Sequence, residues 1–444
     1  MTANAARHEP TMLAIRRAQL IDGLRPAPVP SGVVLIGGDG RIVAAGPAQE
    51  VAVPDGVPTL DAAGMTLLPG LIDGHVHLTW DKTLNTLSHQ DGLQGHLRPP
   101  NAERELVRAG HFAQMALAAG VTTLRDCGAD DYGVLALRDA INAGDFAGPR
   151  ILASGRPITT RRGHLYSGWA AEGAEAVREA VQFLANRGVD FIKLVASGGT
   201  TSPGTDIGGA QYTLEEVAAA ADEAHRHGLQ VAAHAISTAG IRVAAEAGVD
   251  TIEHCSWIGP DRKPVTDETA VDWMVKNGVS VDHAIMPGPT FFPDEWQGEP
   301  SPDDEWWRNL LKVRWPFLRH LRERGVCVFI ATDAGFGPWP GSAFWPGFQD
   351  LARAMEILVR YGEFRPMEVI KMATADSARA LRLDSEIGTL EPGKRADLIL
   401  LVGDPLKDVR ILRTVEKVFR DGKLVARQGA VMLPGTQPAG RENG

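Results

Sequence analysis

Leu67-Leu68-Pro69-Gly70-Leu71-Ile72-Asp73-Gly74-His75-Val76-His77 is an apolar run that ends in two histidines one residue apart. Side chains on a strand alternate between its faces, so His75 and His77 point the same way. Two imidazoles on one strand end can then reach one ion. Taken alone, the pair reads better as two strand-end histidines without a metal. What the rest of the chain sets beside it decides between these readings.

Working outward, strand-like runs alternate with amphipathic helical stretches. After Thr66–His77 the strand candidates are Val121–Gly128, Arg150–Gly155, Phe191–Ser197, Gln230–Ala235, Thr251–Cys255, Val279–Ile285 and Val326–Ala334. Helical stretches such as Ala174–Arg187, Thr213–His227 and Trp307–Arg324 lie between them. Most of the strand runs are continuously apolar, as parallel strands buried on both faces must be. About eight β–α units predict an α/β fold, a (β/α)8 TIM barrel spanning residues 67–385. Residues 1–66 and 386–444 carry short β-type runs instead. Ala14–Ile21, Gly32–Ile36 and Arg41–Gly46 lie at one end, and Ala396–Leu401, Val415–Arg420 and Lys423–Ala426 at the other. Asp421-Gly422 between the last two is a hairpin signal. Two β-rich ends around a different middle predict one small β-sandwich domain built from both termini.

The composition narrows the function. Lys plus Arg number 45 and Asp plus Glu 55, a net charge of −10, which speaks against nucleic acid and anionic membranes as partners. No window approaches the ~20 uninterrupted apolar residues of a membrane helix. Met1–Pro10 lacks the basic start and apolar stretch of a secretion signal. Three cysteines, Cys127, Cys255 and Cys327, are too few and too scattered for a disulfide framework. A cytoplasmic enzyme with a small-molecule substrate is expected, as a homo-oligomer.

Active sites of such barrels lie at the C-terminal strand ends. The first strand ends in His75 and His77, the fourth carries Lys193, and the fifth ends at His234. The sixth ends at His254 and the eighth at Asp333. Neutral imidazole is the commonest protein ligand of zinc-like ions. A carboxylate can complete the shell or act as a base. Lys193 is costly as an ammonium ion inside an apolar strand, and desolvation favours its neutral, nucleophilic form. Such an amine can take up CO2 as a carbamate whose two oxygens bridge two cations. The other readings of Lys193 are a lysine paired with an acid and a Schiff-base lysine.

These residues, Leu68–His77 and the tail Gly388-Thr389-Leu390-Glu391-Pro392-Gly393-Lys394-Arg395-Ala396-Asp397-Leu398 resemble the amidohydrolase superfamily in its binuclear subtype, over nearly the whole chain. The resemblance implies two divalent metal ions, zinc by default with manganese or cobalt as alternatives. His75, His77 and Asp333 would hold one, His234 and His254 the second, and carboxylated Lys193 would bridge them. It also implies a bridging hydroxide as nucleophile and Asp333 as general base and acid. Val195–Gly199 followed by Gln211-Tyr212 is similar to the prolidase-like branch, which cleaves Xaa-Pro and other dipeptides and N-acyl amino acids and includes ochratoxin-type amidases. By that resemblance Tyr212 assists the oxyanion, with Tyr166 competing for the role. Gly163-His164 resembles the branch's Gly-Gly-His loop, Arg162 replacing the first glycine, and makes His164 a catalytic candidate.

The substrate expected is therefore the amide bond of a small peptide or N-acyl amino acid. The alternative is a carbamate, phenylurea or related xenobiotic on the same centre. A non-catalytic scaffold is the third reading, and six filled ligand positions speak against it. Arg161 and Arg162 could bind a substrate carboxylate or simply be solvated. Phe291, Phe292, Trp296, Trp306, Trp307, Trp339 and Trp345, with Trp80 and Leu84–Pro100, could line an apolar pocket or a subunit contact. His283 reads as a core histidine or a substrate contact.

Overall fold

The structure, a computed structural model, describes residues 12–79, 102–202, 204–285, 291–292, 304–335 and 347–432. Five strands open the chain: β1 (Leu13–Leu20), β2 (Val29–Ile36), β3 (Ile42–Pro47), β4 (Thr59–Asp61) and β5 (Met65–Pro69). Eight follow: β6 (Leu71–Val76), β7 (Val121–Asp126), β8 (Arg150–Ala153), β9 (Phe191–Val195), β10 (Gln230–Ser237), β11 (Thr251–Ile258), β12 (Ser280–Ala284) and β13 (Val328–Ala331). Four close it: β14 (Leu398–Val402), β15 (Val415–Arg420), β16 (Lys423–Arg427) and β17 (Ala430–Val431).

The middle strands are parallel, each reached through helical crossovers, and form an α/β fold. They make a three-stranded sheet, β6-β7-β8, and a five-stranded sheet, β9 to β13 in sequence order. Single parallel bridges join the two sheets at both seams, Ile158 with Leu194 and Val76 with Ala334. Every residue of β6, β7, β9, β12 and β13 is buried, which explains their unbroken apolar sequence. The helices pack apolar stripes on them: Val177, Val181 and Leu184 of Ala174–Asn186, and Val217, Ala220 and Ala224 of Leu214–Arg226, belong to the same core. The latter helix starts in a full capping box between Thr213 and Glu216.

Strands from both ends share one nine-stranded sheet, with β5 at its centre between β1 and β14. Leu68 of β5 pairs with Ile399 of β14, and Leu20 of β1 with Leu67. The expected strand Thr66–His77 is thus two strands in two sheets. Gly70 is the crossing point. A Cβ there would sit 2.2 Å from Thr122 Oγ1, so only glycine lets the backbone pass. Among the described residues no helix is long and apolar enough to cross a membrane.

Candidate metal centre and active site

The parallel register delivers the strand-end residues to one place. β9 and β10 pair so that Val195 lies beside His234, and β10 and β11 so that Ala235 lies beside His254. At the seam, Asp333 N donates to His75 O at 2.9 Å and His77 N to Ala334 O at 2.7 Å. His75, His77, Lys193, His234, His254 and Asp333 all line one cavity, together with His164.

The backbone works to aim these side chains. His254 has φ +66° and Asp333 φ +55°. Left-handed conformations are uncommon outside glycine and persist where the surroundings over-determine them, typically at functional sites. Cys255 and Trp257 on the same strand are also left-handed, so the end of β11 is bent around the cavity.

His75 Nε2, His77 Nε2 and Asp333 Oδ1 converge. Asp333 Oδ1 is 3.5 Å from the first and 3.4 Å from the second. Ligands about 2.0–2.2 Å from one ion, at tetrahedral angles, stand about 3.3–3.6 Å apart, so the trio fits a cation. Asp333 Oδ1 is also a buried oxygen with no hydrogen-bond partner among the described residues. The remaining imidazole nitrogens fit the same reading. His75 Nδ1 donates to Asp282 Oδ2 at 2.7 Å, His77 Nδ1 to Gly128 O at 2.9 Å, and His234 Nε2 to Gly198 O at 3.2 Å. Each such bond fixes a tautomer and leaves the opposite nitrogen a lone pair for an ion. A second buried trio, His75, Cys127 and Glu253, has similar spacing. Burial pushes the Cys127 thiol up, away from the thiolate a metal needs, and Arg125 engages Glu253 at 2.7 Å.

The electrostatics favour neutral imidazoles. Burial, then the Lys193 charge, lowers His75 to about 4 and His234 to about 3. Burial, with His234 and His75 nearby, holds His254 well below its ordinary value. Burial opposes ionisation of Asp333, but His75, His77 and Lys193 outweigh it and hold the carboxyl below the usual range. Lys193 is fully buried, and its Nζ stands 3.4 Å from His75 Nε2. No carboxylate lies within ion-pair distance of it among the described residues, which removes the acid-paired reading. Beneath His75 lies a charge network that the sequence reading did not identify. Arg125 donates to Glu253 and to Gly74 O. Burial opposes ionisation of Glu253, but Arg125 holds it well below the usual range. Burial and the charge of Glu253 push Asp282 well above that range. Asp282 Oδ2 lies 2.7 Å from His75 Nδ1. The signal was available: Arg125, Glu253 and Asp282, like Lys193, are charged residues inside apolar strands.

Other expected residues fall as follows. His164 is buried in the cavity wall, its ring 4.4 Å from that of His234, with Nδ1 2.8 Å from Ser202 Oγ. A Cβ on Gly199 would come within 2.4 Å of that ring, so this glycine makes room for it. Tyr212 is not there. Its ring packs in the main core and its hydroxyl donates to Ala171 O at 2.7 Å, so the oxyanion role read from its place in the sequence does not fit. Tyr166 does not line the cavity either. Arg161 and Arg162 are exposed, in keeping with solvated charges. Phe291 and Phe292 are core residues, the former against Trp315 and Tyr361, and Trp306 Nε1 donates to Arg262 O. These three do not line the cavity. Trp80, Leu84–Pro100, Trp296, Trp339 and Trp345 lie outside the described residues, as does the side chain of Trp307. His283 is fully buried, with no hydrogen bond at either ring nitrogen among the described residues, and does not line the cavity. A residue missed outright is Arg314, which does.

A profile of the amidohydrolase family matches residues 66–259 and 308–425. The chain belongs to the amidohydrolase family. This amidohydrolase is 29% identical over 394 residues to ochratoxinase from Aspergillus niger, covering 82% of this chain and 76% of that one. It is 28% identical to a Xaa-Pro dipeptidase crystallised with methionine in its active site, at a TM-score of 0.76 over 93% of this chain and 99% of the other. Phenylurea hydrolase B shares its fold at a TM-score of 0.75 and 24% identity, over 96% and 100% of the two chains. The amidohydrolase is a hydrolase acting on carbon–nitrogen bonds.

Proposed function

We propose that this amidohydrolase cleaves the amide bond of a small peptide or an N-acyl amino acid. The observation that carries the reading is the convergence of His75, His77, Lys193, His234, His254, Asp333 and His164 on one cavity. His75, His77 and Asp333 would hold one divalent ion and His234 and His254 a second. The CO2-derived carbamate of Lys193 would offer one oxygen to each. Zinc suits this donor set, as do manganese and cobalt. Bound ions supply a water of lowered pKa and a Lewis acid for the scissile carbonyl.

The protein's own groups do the rest. Asp333, ionised and aimed into the cavity, accepts a proton from the attacking water and returns it to the leaving nitrogen. His164, beside His234, donates to the carbonyl oxygen as negative charge develops there. Asp282 and Gly128 hold His75 and His77 in register. We read the eight parallel strands as a (β/α)8 barrel closed by the Ile158–Leu194 and Val76–Ala334 bridges, and the nine-stranded sheet as a sandwich on its side. Three free cysteines suit a reducing compartment such as the cytoplasm.

The test is a hydrolysis panel with zinc-, manganese- and cobalt-loaded protein. Dipeptides and N-acyl amino acids are set against N-aryl carbamates and phenylureas. Turnover of the first group is expected. Turnover confined to the second, or none in any metal form, overturns the proposal.

A further inference from the structure

Arg314 lies on the helix Asp304–Glu323 between β12 and β13. It sits on the helix's buried stripe with Leu310, Leu311, Leu318 and Leu321, and is only 4% exposed. Its Nη2 donates to the carbonyl oxygen of His254. Its Nε has no partner, and no carboxylate lies within ion-pair distance among the described residues. Arg125, the other deeply buried arginine near the site, has Glu253 at 2.7 Å. Arg314 thus brings a cation with no counter-charge among the described residues to the wall of the cavity that holds the candidate metal ligands. The hydroxyl residues Thr200, Thr201 and Ser256 line the same cavity.

A buried charge without a counter-charge is strongly unfavourable. A guanidinium kept in that state is suited to an anion that arrives from outside. Its planar fork matches a carboxylate with two parallel N–H···O bonds. We propose that Arg314 is the specificity-determining residue that binds the substrate's free carboxylate, so that the enzyme takes acids of the N-acyl amino acid and dipeptide class and rejects their C-terminal amides and uncharged carbamates or ureas. The proposal rests on the hydrolase reading above and adds the group that selects among its substrates. It also moves the expected carboxylate contact from Arg161 and Arg162, at the surface, to the cavity.

The experiment measures binding and turnover separately. The twenty N-acetyl-L-amino acids and their matched C-terminal amides are titrated into zinc-loaded protein by calorimetry, then assayed for hydrolysis. At least one acid should bind, and its amide about 10- to 100-fold more weakly. In Arg314→Met the acid should fall to the level of the amide, with KM raised far more than kcat is lowered. Arg314→Lys keeps the charge without the fork, and serves if the Met variant fails to fold; it should lose most of the preference. Equal binding of acid and amide by the parent overturns the proposal, as does an undiminished preference in either folded variant or binding of no acid at all. Arg314-dependent binding without hydrolysis would sink the hydrolase reading and leave this one standing. Hydrolysis of acids and amides alike would do the reverse.

Discussion

His75 shows how one residue is specified from below and used from above. Its Nδ1 is fixed by Asp282, whose carboxyl is pushed up by burial and by the charge of Glu253, which in turn answers Arg125. Its Nε2 faces Lys193 and Asp333 across 3.4 Å and 3.5 Å. Lys193 is the pivotal member, a fully buried amine with no acid beside it among the described residues. Lys193→Ala should lower metal content and affinity by at least about 10- to 100-fold, as loss of a supporting ligand does, and abolish turnover. Short carboxylic acids should restore part of both. Elemental analysis of the purified variant checks this, and full metal content with full activity would remove the bridging role. The strand-end residues were legible because each closes or interrupts an apolar run. Asp282 and Glu253 carry the same signal but were hidden beside the histidines that follow them. Tyr212 was misplaced because proximity to Lys193 in sequence does not fix direction: Gln211, not Tyr212, turns inward, bonding Val195 O and Thr159.

Elements place these residues by register, and loops finish the work. All eight predicted middle strands are present, since buried parallel strands announce themselves as continuous apolar runs. The division at Gly70 was not legible, because β5 and β6 are equally apolar and only the Thr122 contact separates them. Arg314 was not legible as a site residue. A helical arginine on an apolar stripe looks like an interruption until the neighbouring strand end is known. The loop after β9 is a sharper case. Its Gly199 passes directly against the His164 ring, although His164 belongs to the connection after β8. Gly199→Ala should push that ring off Ser202 and lower kcat by about 10- to 100-fold, the scale of a lost proton donor, with metal content unchanged. An unchanged kcat in steady-state assays would show that His164 takes no part in the reaction.

At the scale of the molecule, the nine-stranded sheet and the parallel strands are tied by charge as well as by the chain. Arg150 at the start of β8 donates to Asp397 at 2.7 Å, and Asp397 also accepts from Asp421 N at 2.8 Å. Asp397 is nearly buried, so removing the arginine leaves a carboxylate short of a partner. Arg150→Ala should cost about 1.5–3 kcal/mol, seen as a lower Tm by calorimetry, with KM unchanged because the pair lies away from the cavity. A parent-like Tm would mean that water replaces the guanidinium at no cost. Composition and terminal β-runs made the two-ended organisation legible. The ion pair was not, since its partners are distant in sequence and ordinary in type.

The passage from β5 to β6 through Gly70 has a kinetic meaning. β5 needs both β1, which precedes it, and β14, which follows the whole parallel set, to complete its hydrogen bonds. Contacts so far apart in sequence are slow to form, because the loop they close must first lose its freedom. The histidine-bearing strand is one residue from that seam. On the ribosome, His75 and His77 therefore exist long before the frame that orients them, and a growing chain carries an open pair of imidazoles rather than a finished site.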